Sequence, residues 1–193
     1  MQERYPKMSI LFGLAALASF SDPAAAETVA AAAPASGVTA IASVPRTFAQ
    51  NDPSAQLERA VEAHARLETE DAEQDCLANT VYFEAGLEPL EGQLAVAEVV
   101  LNRMRSGRYP TTICGVVLQP AQFSYVRGGR IPRVDRNSEM WRRAVGVARL
   151  AQAGTGTRLL PEDTLWYHAD YVSPAWGPRL NRTTKIGLHI FYR

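Results

Sequence analysis

The chain has 193 residues, 47% of them hydrophobic and 21% charged, a globular composition with room for one ordinary domain plus tails. Lys and Arg balance Asp and Glu at 20 each, and no polybasic run stands out. That balance argues against a nucleic-acid partner, because phosphate binding needs a basic footprint.

Arg4 and Lys7 precede an apolar run from Met8 to Phe20, too short to span a bilayer comfortably, and Ala24-Ala25-Ala26 follows. This pattern predicts a signal peptide over 1–26 cleaved before Glu27, and hence a periplasmic or secreted protein with no stable membrane span after cleavage. Pro23 and the small residues after it argue against an uncleaved anchor. Export makes the two cysteines interpretable. Cys76 and Cys114 are the only pair, and in an oxidising compartment a disulfide is the default. Closing that loop is worth up to roughly 4 kcal/mol in the chain-entropy model.

Ala, Pro, Ser, Thr and Val dominate after Glu27, which predicts a flexible linker over 27–55. Gln56 to Asp75 is dense in Glu, Arg and Ala, so a charged helix is expected over 56–74. Its apolar positions Leu57, Val61 and Leu67 make a thin stripe, which predicts a solvated helix leaning on the domain or a stalk, outside the site. The compact domain is expected over 75–193. Asp75 reads as an N-cap for a helix to about Ala85, interrupted by Gly86 and Pro89. A second helix is predicted over Leu90–Arg105, with Leu94, Ala97, Val100, Leu101 and Met104 facing the core. Ile113 to Leu118 suggests a short helix or turn. Ser124 to Asn137 reads as a loop with a Gly pair and four arginines, either solvated or a flap meeting an anionic or carbohydrate polymer. Ser138 caps a helix to about Ala153 that buries Trp141, Val145 and Ala148. Leu165–His168 and Lys185–Tyr192 are β-like and expected to pair. The fold class is α+β, a helical core with a small antiparallel sheet near the C-terminus.

The densest acids lie in residues 82–93, Y-F-E-A-G-L-E-P-L-E-G-Q. Glu91 at a helix N-terminus is explained by the dipole, and Glu88 by a capping or bracing role. Glu84 near a helix C-terminus is electrostatically disfavoured, and it follows Tyr82 and Phe83. An apolar setting would raise its pKa, as a proton donor for glycosidic cleavage requires.

From here the residues resemble a known family. The runs Glu84-Ala85-Gly86, Glu91-Gly92-Gln93, Val99-Val100-Leu101-Asn102-Arg103, Ile113-Cys114-Gly115, Gln122-Phe123-Ser124, Trp166-Tyr167-His168 and Gly187-Leu188-His189 are similar to the SleB-type cell-wall hydrolases of the spore cortex-lytic group. They come in the same order over about residues 75–193. The resemblance implies a peptidoglycan-cleaving domain with a lysozyme or lytic-transglycosylase-like fold, and Glu84 as the catalytic acid. Where the family pattern has Arg in E-A-R-G-E, this chain has Gly86-Leu87, so a role for that Arg does not carry over.

Retaining and inverting hydrolases both need a second carboxylate at a set distance. A lytic transglycosylase works with one Glu, and no second acid besides Glu88 and Glu91 is obvious here. The similarity therefore favours cleavage between N-acetylmuramic acid and N-acetylglucosamine to a 1,6-anhydro product. Glu88, Gln122, Phe123, Ser124, Tyr125, Tyr167, His168 and Trp176 are expected to bind substrate, since aromatic faces suit sugars and polar groups grip N-acetyl and hydroxyl substituents. Phe123 and Trp176 serve equally as core anchors. No cofactor or metal is expected, and a monomer is. Three other readings compete: a peptidase pairing Cys76 with His168 or His189, a zinc amidase, and a non-catalytic wall-binding module.

Overall fold

The structure, a computed structural model, describes residues 52–155 and 158–193. The expected signal peptide and nearly all of the expected linker lie outside the described residues.

The charged stretch does not form one helix. Helix α1 spans Pro53–His64, capped by the Asp52 carboxylate, and the chain then turns before helix α2, Ala72–Ala85. Asp71, not Asp75, caps α2 by accepting from the Gln74 N–H at 2.7 Å. Thr69 and the Asp71 cap favour a break locally, and a tertiary contact fixes it: the Trp141 indole donates to the Leu67 carbonyl at 2.7 Å and pins the turn. Nor is α1 a loosely attached helix. Val61 is buried in the core, and a Cβ at Gly146 would lie 2.6 Å from the Val61 carbonyl oxygen. Only glycine permits so close a crossing of two backbones.

Helix α3, Leu90–Arg105, runs through the centre and is buried from Gly92 to Arg103. Leu94, Ala97, Val100 and Leu101 lie in the core as their spacing predicts, whereas Met104 is half-buried at its edge. Helix α4, Ile113–Val117, docks on the start of α2. Glu73 accepts from the Ile113 and Cys114 N–H groups at the head of α4, and the Cys76–Cys114 disulfide joins the same two helices. Helix α5, Glu139–Ala153, starts at the Ser138 cap and ends at Gly154 in a left-handed conformation.

Strands β1, Trp166–Ala169, β2, Arg182–Ile186, and β3, His189–Tyr192, form an antiparallel sheet in the order β1-β3-β2. The β-like run at 185–192 is thus the end of one strand, a turn, and a second strand. Gly187, at φ 56°, makes the turn. Polar side chains of α3 hold the strap leading into β1. Asn102 donates to the Pro161 and Thr164 carbonyls, and Arg103 Nε donates to the Leu165 carbonyl at 2.7 Å. Those bonds carry Tyr167 over the C-terminal end of α2. No helix among the described residues is long and apolar enough to cross a membrane.

Candidate active site

A cavity of about 310 Å³ opens where the α2–α3 junction meets the sheet. Its walls are Tyr82 to Glu88, Met140 from the first turn of α5, Ala169 at the end of β1, Tyr171 just past it, Leu188 from the β2–β3 turn and His189 at the start of β3. Glu84 lies in the last turn of α2. Its Oε2 accepts from the Tyr167 hydroxyl at 3.1 Å, while its buried Oε1 has no hydrogen-bond partner. Burial pushes the Glu84 pKa up to about 7, against the opposing pull of the Tyr167 hydroxyl and the Arg103 guanidinium. Such a carboxyl is substantially protonated near neutral pH, and one of its oxygens is left without a hydrogen-bond partner.

A second buried carboxylate, Glu98, also has a raised pKa from burial. Its oxygens are occupied by the Leu159 and Leu160 N–H groups at 2.8–3.1 Å, and its cavity measures only about 40 Å³. Glu98 is therefore a clamp on the strap, and Glu84 is the carboxyl with an unengaged oxygen and room beside it. A groove of about 590 Å³ lined by Trp166, Arg105 and Arg108 adjoins the Glu98 cavity through Asn102 and Arg105 and includes neither carboxylate in its lining.

Arg103 is fully buried beneath the site. Its guanidinium sits 5.3 Å from the Tyr109 ring centre, 5.8 Å from Phe123 and 5.9 Å from Tyr167. This buried cation faces the Glu84–Tyr167 pair through aromatic rings.

The expected substrate-binding residues separate into groups. Tyr167 is buried and bonds to Glu84 directly. Glu88 lines the cavity, but its side chain is only 8% exposed; Oε2 accepts from the Leu188 N–H at 2.9 Å, and Oε1 lies 4.0 Å from His189 Nδ1. It straps the β2–β3 turn to the α2–α3 junction. Tyr125 stacks on Phe83 at 4.7 Å, and its hydroxyl meets Thr80 Oγ1 at 2.7 Å. Phe123 is core, packed behind Tyr125 at 5.7 Å. Gln122 and Ser124 are half-buried and do not line the cavity. His168 and Trp176 are not brought to Glu84. Successive strand residues face opposite sides of a sheet, so Tyr167 and His168 cannot share one site. His168 Nδ1 donates to the Ala169 carbonyl at 2.8 Å, and Nε2 accepts from the Tyr192 hydroxyl at 2.8 Å. Trp176 packs edge-on to both of those rings at 5.5 Å.

Several residues around the cavity escaped the sequence reading. Leu87, Tyr171 and Leu188 are 97%, 67% and 53% exposed and form its rim. No periodic signal marks them, because all three stand outside helices and strands. His189 forms a wall with an unpartnered Nδ1, and burial lowers its pKa. Gly86, at the position where the family pattern has Arg, lets α5 close on α2: a Cβ there would lie 2.8 Å from Met140 Sδ. Cys76 is disulfide-bonded, so a Cys–His peptidase would lack its thiol. Among the described residues no three His, Cys, Asp or Glu side chains gather as a metal-binding group.

A family model described as Cell Wall Hydrolase matches residues 87–192, beginning just after Glu84. The spore cortex-lytic enzyme of Halalkalibacterium halodurans is 34% identical over 140 residues, covering 72% of this chain and 40% of that protein. The spore cortex-lytic enzyme of Bacillus subtilis strain 168 is 35% identical over 115 residues, 60% of this chain and 35% of that protein. The chain thus spans about two fifths of the length of the curated relatives it matches. Among solved structures, the catalytic domain of the germination-specific lytic transglycosylase SleB from Bacillus anthracis superposes with a TM-score of 0.52 at 32% identity. The match covers 65% of this chain and 97% of that domain. The chain belongs to the cell wall hydrolase family.

Proposed function

We propose that the protein cleaves the glycan strands of peptidoglycan between N-acetylmuramic acid and N-acetylglucosamine, with Glu84 as a single general acid and base. One observation carries this reading: a carboxyl on the wall of an open cavity has its pKa near 7 and one buried oxygen without a hydrogen-bond partner. The relatives' names, spore cortex-lytic enzyme and lytic transglycosylase, support the substrate class.

In the first step protonated Glu84 gives its proton to the glycosidic oxygen, and the bond from that oxygen to C1 of the muramic sugar breaks. Glu84, now a carboxylate, then removes the proton of that sugar's 6-hydroxyl as O6 bonds to C1. Water is not consumed, and the product is a 1,6-anhydro end. A hydrolase would need a second carboxylate about 5 Å away to form a covalent intermediate, or about 6.5–9.5 Å away to activate water. Among the described residues the only other acid on the cavity wall, Glu88, is bonded to the Leu188 N–H and largely covered. That favours the transglycosylase route. The Tyr171 ring and the Leu87 and Leu188 side chains on the rim offer apolar surface to sugar faces.

The described walls of the cavity all come from one chain, which suits action as a monomer. Residues 1–26 act as an export signal and 27–51 as a linker in this reading, and a disulfide suits an oxidising periplasmic or extracellular location. Mass spectrometry of fragments from purified peptidoglycan tests the whole. Anhydro-muramic ends support it; reducing ends show hydrolysis instead, and freed peptides show an amidase or peptidase.

A further inference from the structure

The loop between Phe123 and α5 is anchored at both ends beside the cavity. At its start Tyr125 stacks on Phe83, and at its end α5 contributes Met140; Phe83 and Met140 both line the cavity. Two residues past Tyr125 the chain makes a tight hairpin. The Arg127 N–H donates to the Arg130 carbonyl at 3.0 Å, and the Arg130 N–H to the Arg127 carbonyl at 3.1 Å. Gly128 and Gly129, at φ 57° and 71°, form its tip, as a primed two-residue turn requires. A Cβ at either glycine would meet nothing within 4 Å, so the tip stands clear of the domain.

This geometry sets two exposed arginines directly opposite each other in a hydrogen-bonded backbone pair, where like charges are normally disfavoured. Among the described residues no carboxylate lies within ion-pair distance of Arg127, Arg130 or the nearby exposed Arg133. The acids in reach are engaged elsewhere: Asp75 pairs with Arg136 at 2.7 Å, and Asp135 accepts from the Asn137 N–H. An unneutralised arginine pair that begins two residues past Tyr125, whose ring packs against Phe83 of the cavity wall, fits an anionic ligand, and the planar guanidinium fork matches a carboxylate in particular.

We propose that the Arg127–Arg130 hairpin is a subsite for the free carboxylates of the stem peptides on the strand being cut, so that peptide-bearing strands are the preferred substrate. This rests on the glycan-cleaving reading of Glu84. It follows from the polymer's chemistry, because the lactyl carboxyl of muramic acid is consumed in an amide wherever a peptide is attached. The remaining anions on such a strand are the peptide's own α-carboxylates.

The test compares intact sacculi with the same material stripped of stem peptides by an amidase, its freed lactyl carboxyls then capped as neutral amides so that the control strands carry no carboxylate. Two readouts are taken: cleavage by the wild-type and Arg127→Gln/Arg130→Gln proteins, and co-sedimentation of both sequences in a Glu84→Gln background. The wild-type protein should prefer intact over stripped strands by about three- to tenfold in kcat/KM, the range expected for two exposed ion pairs. The double variant should bring that ratio close to one, with an unchanged thermal melt, and raised salt should erode the wild-type preference. A wild-type ratio near one, or a ratio unchanged in the double variant, overturns the proposal. So does a variant that loses binding only to a phosphate polymer or to anionic vesicles. If Glu84→Gln leaves cleavage intact, the catalytic reading fails, while co-sedimentation still reports on the hairpin.

Discussion

The Tyr167 hydroxyl donates to Glu84 Oε2 at 3.1 Å, across 83 residues of sequence, and leaves Oε1 as the oxygen without a partner. The bond orients the carboxyl without satisfying it. A half-satisfied buried acid is costly to stability, and that cost is characteristic of a group kept for chemistry.

Glu84→Gln should therefore abolish cleavage of purified peptidoglycan while improving the fold at alkaline pH. In the native protein the Glu84 pKa is raised from 4.5 to about 7, so the folded state holds a proton that the unfolded chain releases. The stability associated with this group is present below about pH 4.5 and is lost as pH rises towards 7. At pH 8 the variant should be more stable than the native protein by up to roughly 3 kcal/mol, and at pH 4 nearly equal. Thermal melts at the two pH values, alongside turbidity clearance of sacculi, check both halves.

Tyr167→Phe should shift the pH profile more than it reduces the maximum rate. The hydroxyl favours the charged form of Glu84, so removing it raises the carboxyl pKa further. The alkaline limb of kcat/KM, set near pH 7 in the native protein, should move to higher pH. A limb that stays in place or moves down would show that the hydroxyl does not act on Glu84.

Gly187→Ala should weaken both fold and activity. The residue sits at φ 56°, and an added Cβ would collide with the Glu88 carboxylate. A left-handed conformation alone costs an alanine roughly 1–2 kcal/mol, and expelling Glu88 releases Leu188 and His189 from the cavity wall. Chemical denaturation should register a loss of about 2 kcal/mol or more, with a fall in cleavage rate measured below the transition.

Replacing both Cys76 and Cys114 with Ala should lower stability by about 2–4 kcal/mol and leave cleavage intact at low temperature. The disulfide joins α2 to α4 and touches no wall of the cavity. Loss of activity in a variant that remains folded by circular dichroism would instead favour a thiol-dependent reaction.

Local pattern made much of the architecture legible. The apolar spacing of Leu90–Arg105 and the Ser138 cap set α3 and α5 at the bounds observed, because both are decided by residues within a few turns. The break between α1 and α2 was only partly legible: Thr69 and Asp71 are weak helix formers and Asp71 caps α2, but the turn is held by Trp141, far along the chain. The division of 185–192 into two strands rests on Gly187, whose left-handed turn reads in sequence as one small residue within a β-like run. The rim of Leu87, Tyr171 and Leu188 was invisible for a similar reason: three side chains in irregular segments converge only after the sheet has docked.

By itself the sequence determined the family, the pair of cysteines and the acid to watch, because ordered motifs and residue identity need no coordinates. Tertiary structure decided what that acid is. Tyr82 and Phe83 beside Glu84 suggested an apolar setting, yet the donor that holds it comes from β1 and the opposing cation, Arg103, from within α3. It also decided that Tyr167 belongs with Glu84 while its neighbour His168 does not, through strand alternation and the docking of one sheet face. Desolvation and charge pairing depend on distances between remote parts of a chain, and folding alone creates those distances.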